Sequence, residues 1–315
     1  MSGSPSPFNP LLVFLKGMAM GAADVVPGVS GGTIALVSGI YQRLLGSLSR
    51  ADTHFVGLVL KARLVEAWRY VDAQFLLTLM AGILTSIVLL AGVIGWLLVN
   101  QALLVWSFFF GLIAASAVYL WRSVGEHTVI TSVLMLLGIV IAVVIAMAKP
   151  AELEMTNVYL IFCGALAICA MILPGISGSF ILLLLGAYSY VLGAVRALDI
   201  TVLALFGVGC VVGLLLFSRL LNWLISHHHD RIMALLTGFL AGSLTLVWPW
   251  KIVTQWYTSS HGEAKPLVQH NVLPSTWELQ YTEPANVAFC VLLMLCGACL
   301  LLAIELWAGG RQKSK

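Results

Sequence analysis

The chain has 315 residues, 61% of them hydrophobic and only 9% charged, with a mean hydropathy of +1.03. That balance excludes a water-soluble globular domain and marks a polytopic membrane protein. A net charge of +3 gives no argument for nucleic acid, and Met1 to Asn9 lacks the basic region, apolar core and small-residue cleavage site of a secretory signal.

The first apolar run, 11–23, is shorter than the roughly 20 residues a helix needs to cross hydrocarbon. It leads through Asp24 into Pro27-Gly28-Val29-Ser30-Gly31-Gly32-Thr33-Ile34, which opens a second run, 29–46, containing Gly39-Ile40-Tyr41. Proline removes a backbone donor and starts a turn, and glycine admits positive φ and close approach. A broken helix inside hydrocarbon is costly unless its freed backbone groups find partners. A loop near 47–74 follows, then spans at 75–99, 103–121 and 128–148.

The pattern then repeats. A short run at 157–172 precedes Pro174-Gly175-Ile176-Ser177-Gly178-Ser179-Phe180-Ile181, and the run 176–195 contains Gly186-Ala187-Tyr188. Further spans are expected at 202–225, 231–250 and 286–307, the last two separated by a polar loop, 251–285, carrying Trp256, Tyr257, Trp277 and Tyr281. His227-His228-His229-Asp230-Arg231 reads as a turn rather than a metal set, because three adjacent histidines do not converge on one ion from a helix. The six cysteines all lie in apolar segments and read as packing residues, Cys296-x-x-Cys299 included.

At an offset of 147, Pro27, Gly28, Ser30, Gly31, Gly39 and Tyr41 meet their own kind in the second copy. At 127, Gly82, Trp96, Gly111, Ser116 and Trp121 do the same, and at 159 Met135 and Gly138 meet Met294 and Gly297. The offsets 147 and 127 differ by 20 residues, the length of the extra loop in the first half. The expectation is an all-α polytopic membrane protein, one membrane domain over 1–315. It comprises two inverted repeats, 8–150 and 151–310, each a helical hairpin, expected to be re-entrant, plus three transmembrane helices. An odd number of crossings per half inverts the second against the first. With the N-terminus inside, only Lys149, Arg196, Lys251 and Lys265 of the 16 Lys and Arg residues fall outside, so the positive-inside rule puts both termini in the cytoplasm.

The helix that follows each break presents unpaired N–H groups and a positive dipole end, an arrangement suited to phosphate or carboxylate. The expected phosphate-binding residues are Gly28, Ser30, Gly31, Gly32, Thr33, Gly175, Ser177, Gly178 and Ser179, with Arg43 and Arg196 guiding or neutralising the anion. The alternative is that the small residues only allow close helix packing. Asp24 has Met171 as its counterpart, so the symmetry breaks there. A carboxylate at that depth can take a proton or Na⁺, or cap the hairpin tip. Lys16 can meet an anionic head group or reach the interface. No nucleotide-binding or hydrolase set occurs, so no catalytic residue, metal or cofactor is expected beyond a coupling H⁺ or Na⁺.

The segment Gly17 to Ala35 and its second copy, Leu173 to Ser179, resemble the signature of the bacterial polyprenyl-phosphate transporter family, and the resemblance covers nearly the whole chain. It implies a flippase that returns undecaprenyl phosphate from the outer to the cytoplasmic leaflet of the inner membrane for reuse in cell-wall synthesis. The implied partners are that lipid and the surrounding membrane lipids, with no nucleic acid and with homo-oligomerisation left open. The rival readings are a small-anion or ion transporter using the same helix starts, and a lipid-phosphate enzyme.

Overall fold

The computed structural model describes residues 9–26, 29–148, 150, 153–258 and 264–309, with side chains described except over 255–268 and beyond 303. Pro27, Gly28, Lys149 and both chain ends therefore lie outside the described residues, as do the side chains of Trp256, Tyr257 and Lys265. In chain order the first half forms α1 (Pro10–Val25), α2 (Gly31–Val37), α3 (Tyr41–Ser49), α4 (Thr53–Leu60), α5 (Leu64–Tyr70), α6 (Ala73–Asn100), α7 (Ala102–Ser123) and α8 (Val129–Met147). The second forms α9 (Asn157–Ile172), α10 (Gly178–Leu184), α11 (Tyr188–Ala197), α12 (Ile200–His227), α13 (His229–Ser243), β1 (Lys251–Thr258), β2 (Ala264–Asn271), α14 (Pro274–Tyr281) and α15 (Val287–Gly309).

Local chemistry sets several helix starts. Asn9 caps α1 ahead of Pro10, Thr128 and Thr131 form a reciprocal capping box on α8, Thr156 caps α9, and Asp199 accepts from two N–H groups of α12. Among the described residues α6, α7, α8 and α12 are long and apolar enough to cross a membrane. A fifth span arises if α10 and α11, bent by 110°, count as one. The 28-residue helices α6 and α12 are about 42 Å long at 1.5 Å per residue, more than the ~30 Å of hydrocarbon, so they tilt or protrude.

Four features differ from the sequence expectation. The span expected at 231–250 is a 15-residue helix, α13, shorter than a crossing needs and ended at Ser243 by turns that lead to Trp250. The runs 29–46 and 176–195 are each broken a second time, at Gly39 (φ +73°) and Gly186 (φ +68°). Gly-x-Tyr is thus a stop and restart: glycine takes the left-handed conformation that ends one helix, and tyrosine begins the next. The 20-residue loop is a pair of short helices, α4 and α5. The polar loop after α13 is not helical throughout: β1 and β2 pair antiparallel, Lys251 opposite Asn271, before α14.

Helix packing follows the offsets found in the sequence. α1 lies on α6 and α9 on α12, while α7 lies on α15 and α8 on α13. A Cβ on Gly82 would strike the carbonyl oxygen of Phe14, and one on Gly209 would strike that of Ile161, its counterpart at offset 147. Gly111 abuts Met294 of α15 in the same way, and Gly238 abuts Met135 of α8. The backbones approach this closely because glycine carries no side chain, the main packing device available between helices in lipid. Gly17 faces Leu79 and Gly82 whereas Gly21 faces Ile83, so α1 and α6 run in the same direction. The chain from α2 to α5 must therefore return to the level where α1 began. Gly209 facing Ile161 and Gly213 facing Ala165 give α9 and α12 the same parallel arrangement.

Candidate functional site

The two helix breaks meet each other. Val26 leaves α1 in an extended conformation, and Ser30 caps α2, its Oγ accepting from Gly32 N at 3.1 Å. That hydroxyl lies 3.3 Å from Met171 O and 3.2 Å from Leu173 O, the terminal carbonyls of α9, and donates its single proton to them. Tyr41 Oη donates to Ile172 O at 3.2 Å, and Gly175 N donates to Thr33 Oγ1 at 3.0 Å. A Cβ on Gly32 would come within 2.6 Å of Ile172 O. Hydroxyls of the first tip thus satisfy backbone groups freed by the second, as a break inside hydrocarbon requires. Ser30 and Thr33 are completely buried.

Both ends of α2 are served by side chains from α1. Gly31 N donates to Asp24 Oδ1 at 2.6 Å, which sets a carboxylate at the positive end of the helix. Lys16 Nζ donates to Ser38 O at 2.5 Å, which sets a cation at the negative end. The counterparts of Asp24 and Lys16 at offset 147 are Met171 and Cys163, so α10 has no such clamp. Among the described residues no side chain caps α10: Ser177 Oγ instead lies 2.9 Å from Ser179 Oγ. Ser177 and Gly178 are buried, Ser179 is exposed, and Gly175 (φ +82°) sits against the backbone of Phe239 and Leu240 in α13.

The sequence-selected residues therefore divide. Ser30, Gly32, Thr33 and Gly175 meet where the two tips touch, and Gly31 opens α2 against Asp24. Ser177, Gly178 and Ser179 open α10, with Gly178 against α9, and Gly28 lies outside the described residues. In the first copy the donors are engaged: Gly31 N by Asp24, Gly32 N by Ser30, and Thr33 N by Ser30 O at 2.9 Å. Arg43 is held to the start of α6, its Nε 2.7 Å from Asp72 Oδ2 and its guanidinium 4.5 Å from the Phe75 ring. Arg196 lies exposed in the last turn of α11, and its neighbour Asp199 caps α12.

Sequence reasoning passed over Lys251, treating it only as an outer-side charge. Its Nζ donates to Leu246 O and lies 4.4 Å from the Trp106 ring centroid. Burial lowers this amine from 10.5 to about 8. Between pH 8 and 10.5 the unfolded chain binds more protons than the folded one, so this group makes stability rise with pH across that window. Lys251→Met is expected to remove the rise, read as thermal midpoint against pH for both proteins. No His/Cys/Asp/Glu cluster able to hold a metal occurs among the described residues.

Residues 20–265 match the family model described as undecaprenyl phosphate translocase-like. The chain is similar to a polyprenyl-phosphate transporter of Vibrio cholerae serotype O1, 44% identical over 95% of this chain and 97% of the relative. It is also similar to a polyprenyl-phosphate transporter of Staphylococcus aureus, 31% identical over 75% of this chain and 85% of the relative. No solved structure matches.

Proposed function

The chain belongs to the undecaprenyl phosphate translocase-like family, and on that premise we propose that it carries undecaprenyl phosphate from the outer to the cytoplasmic leaflet of a bacterial inner membrane. It acts as a transporter and not as an enzyme. The observation that carries the reading is the meeting of the two helix breaks through Ser30, Thr33 and Tyr41. Two breaks that satisfy each other's backbone can part and accept a phosphate between them, while the isoprenoid tail stays in lipid. Duplicated packing and the uneven distribution of Lys and Arg support two inverted halves with both termini cytoplasmic.

Ser177, Gly178 and Ser179, at the uncapped start of α10, receive the phosphate with Gly175. Gly28, Ser30, Gly31, Gly32 and Thr33 join them once the tips separate. Arg43 and Arg196 guide the anion towards the tips. Asp24 occupies the α2 start in this conformation, so its neutralisation by H⁺ or Na⁺ releases the Gly31 donor to the substrate and couples the two events.

Purified protein in proteoliposomes should raise the rate at which undecaprenyl phosphate crosses the bilayer; an unchanged rate with or without an ion gradient rejects transport. Inhibition by free phosphate with indifference to the tail would favour a small-anion transporter, and release of inorganic phosphate from the lipid would favour an enzyme. Ser177→Ala with Ser179→Ala is the cleaner site test, because these hydroxyls bond each other and hold no backbone group among the described residues. Transport is expected to fall at least about tenfold, ~1.4 kcal/mol of barrier, with an unchanged melting temperature. Ser30→Ala should by contrast cost about 1–2 kcal/mol of stability, because it uncaps α2 and orphans α9 carbonyls.

A further inference from the structure

We propose that α4 and α5 lie flat on the membrane and dock anionic phospholipid head groups of the adjacent leaflet. This pair fills the 20-residue difference between the halves and has no counterpart in the second. On α4, Val56, Val59 and Leu60 are 51%, 41% and 81% exposed; on α5, Leu64, Val65 and Trp68 are 63%, 67% and 50% exposed. At 100° per residue each trio occupies one side of its helix. Leu58 and Ala67 are buried.

The other side is polar. Arg50, His54, Leu58, Glu66, Arg69 and Tyr70 line an open cleft of about 470 Å³. The carboxylates of this segment, Glu66 in the cleft and Asp52 beside it in sequence, are engaged within the protein. Asp52 accepts from Phe55 N and from Tyr70 Oη, both at 2.9 Å, and Glu66 is bound by the fork of Arg63 at 2.8 and 2.5 Å. Arg50 Nη1 reaches only Tyr70 O, at 3.3 Å, and Lys61 and Arg69 make no side-chain bond among the described residues. From Arg50 to Tyr70 there are four cations and two carboxylates, one of them paired with Arg63.

Helices of 8 and 7 residues are too short to cross a bilayer. A six-residue apolar face is costly to leave in water, and lying in the interface plane relieves that cost. Charge complementarity selects the occupant, because basic residues beside an interfacial helix attract anionic lipid over zwitterionic lipid. The inference goes beyond transport and does not depend on its direction.

Hydrogen exchange of the 51–70 amides in the full-length protein tests this, in nanodiscs of phosphatidylcholine alone or with phosphatidylglycerol. Exchange is expected to slow several-fold when phosphatidylglycerol is present. Lys61→Gln with Arg69→Gln should erase that dependence and leave α6 to α8 unchanged. Leu60→Ser with Leu64→Ser should speed exchange in both lipids. Equal exchange of the unmodified protein in the two nanodiscs would overturn it. So would a lipid dependence that survives in the double-glutamine variant, or protection that follows protein concentration instead of lipid, which would give the face to a second copy.

Discussion

Asp24→Asn will leave the hairpin assembled and strip transport of its response to an ion gradient. Asp24 Oδ1 takes a 2.6 Å hydrogen bond from Gly31 N, and its carboxyl group lies against Gly31 at the positive end of α2. Asparagine offers a carbonyl oxygen in the same place, so the cap survives. What is lost is the charge, roughly half the strength of a charge-assisted bond, and with it about 1 kcal/mol of helix-end stabilisation. The functional effect is expected to be much larger. Under the proposed coupling, an incoming phosphate and an ionised Asp24 repel each other at one helix start in the unmodified protein, so substrate entry demands neutralisation. In Asp24→Asn that demand has gone, and so has the means of drawing on a gradient. Uptake driven by an imposed H⁺ or Na⁺ gradient should drop about tenfold or more, to the gradient-free rate. Asp24→Ala, which removes the cap as well, should lose more stability than Asp24→Asn. The readouts are proteoliposome transport under imposed gradients and the melting temperature in detergent. An ion profile in Asp24→Asn identical to that of the unmodified protein would confine Asp24 to capping.

The sequence made legible whatever local chemistry determines. Proline and glycine placed the breaks, and the offsets 147, 127 and 159 anticipated which glycines would lie at corresponding helix contacts. Asp24 stood out because its counterpart is methionine. What stayed hidden depends on groups far apart in the chain. Ser30 and Leu173 are 143 residues apart, and nothing in either motif says that one hydroxyl serves the other's carbonyls. Lys16 read as a partner for an anionic head group or as an interfacial lysine, because its actual partner, Ser38, is 22 residues away across the hairpin. The Gly-x-Tyr repeat was visible as a repeat, but its meaning as a second helix break rests on the positive φ of Gly39 and Gly186, which apolar flanks disguise. The loop 251–285 is polar enough to read as irregular, yet β1 and β2 pair across it. There Trp248 Nε1 donates to Val272 O at 2.9 Å and Trp250 Nε1 to Ala285 O at 3.1 Å.

The asymmetry between the tips follows from these long-range contacts. The first copy, with Asp24, Lys16, Ser30 and Thr33 all engaged, is closed by the protein's own groups. The second keeps an uncapped helix start, with Ser179 exposed. One carboxylate and one lysine create this asymmetry, on which the proposed reception of substrate by the second copy and ion sensing by the first rests.

Gly111→Val should abolish recovery of folded protein, and Gly238→Val should do the same. A Cβ on Gly111 would lie 2.5 Å from the carbonyl carbon of Met294 and closer still to its oxygen, and one on Gly238 would overlap the carbonyl oxygen of Met135. The obstacle in each case is backbone, which no rotamer change can move aside, so α7 must separate from α15, or α13 from α8. Overpacking usually costs about 1–3 kcal/mol where side chains can yield. Prying apart two helices that meet through glycine should cost more, because interhelical packing in lipid depends on that close approach. Gly92→Val on α6 is the control: it adds the same β-branched side chain to a membrane helix at a place with nothing within 4 Å. Size-exclusion profiles and melting temperatures of the three variants separate the cases. Gly92→Val should behave as the unmodified protein does, and Gly111→Val and Gly238→Val should fail together. If Gly111→Val were as stable as Gly92→Val, the crossing of α7 and α15 would have to be looser than its backbone contact implies. If Gly238→Val alone survived, the two halves would not share one packing rule, and the duplicated breaks could no longer be read as counterparts in a single moving assembly.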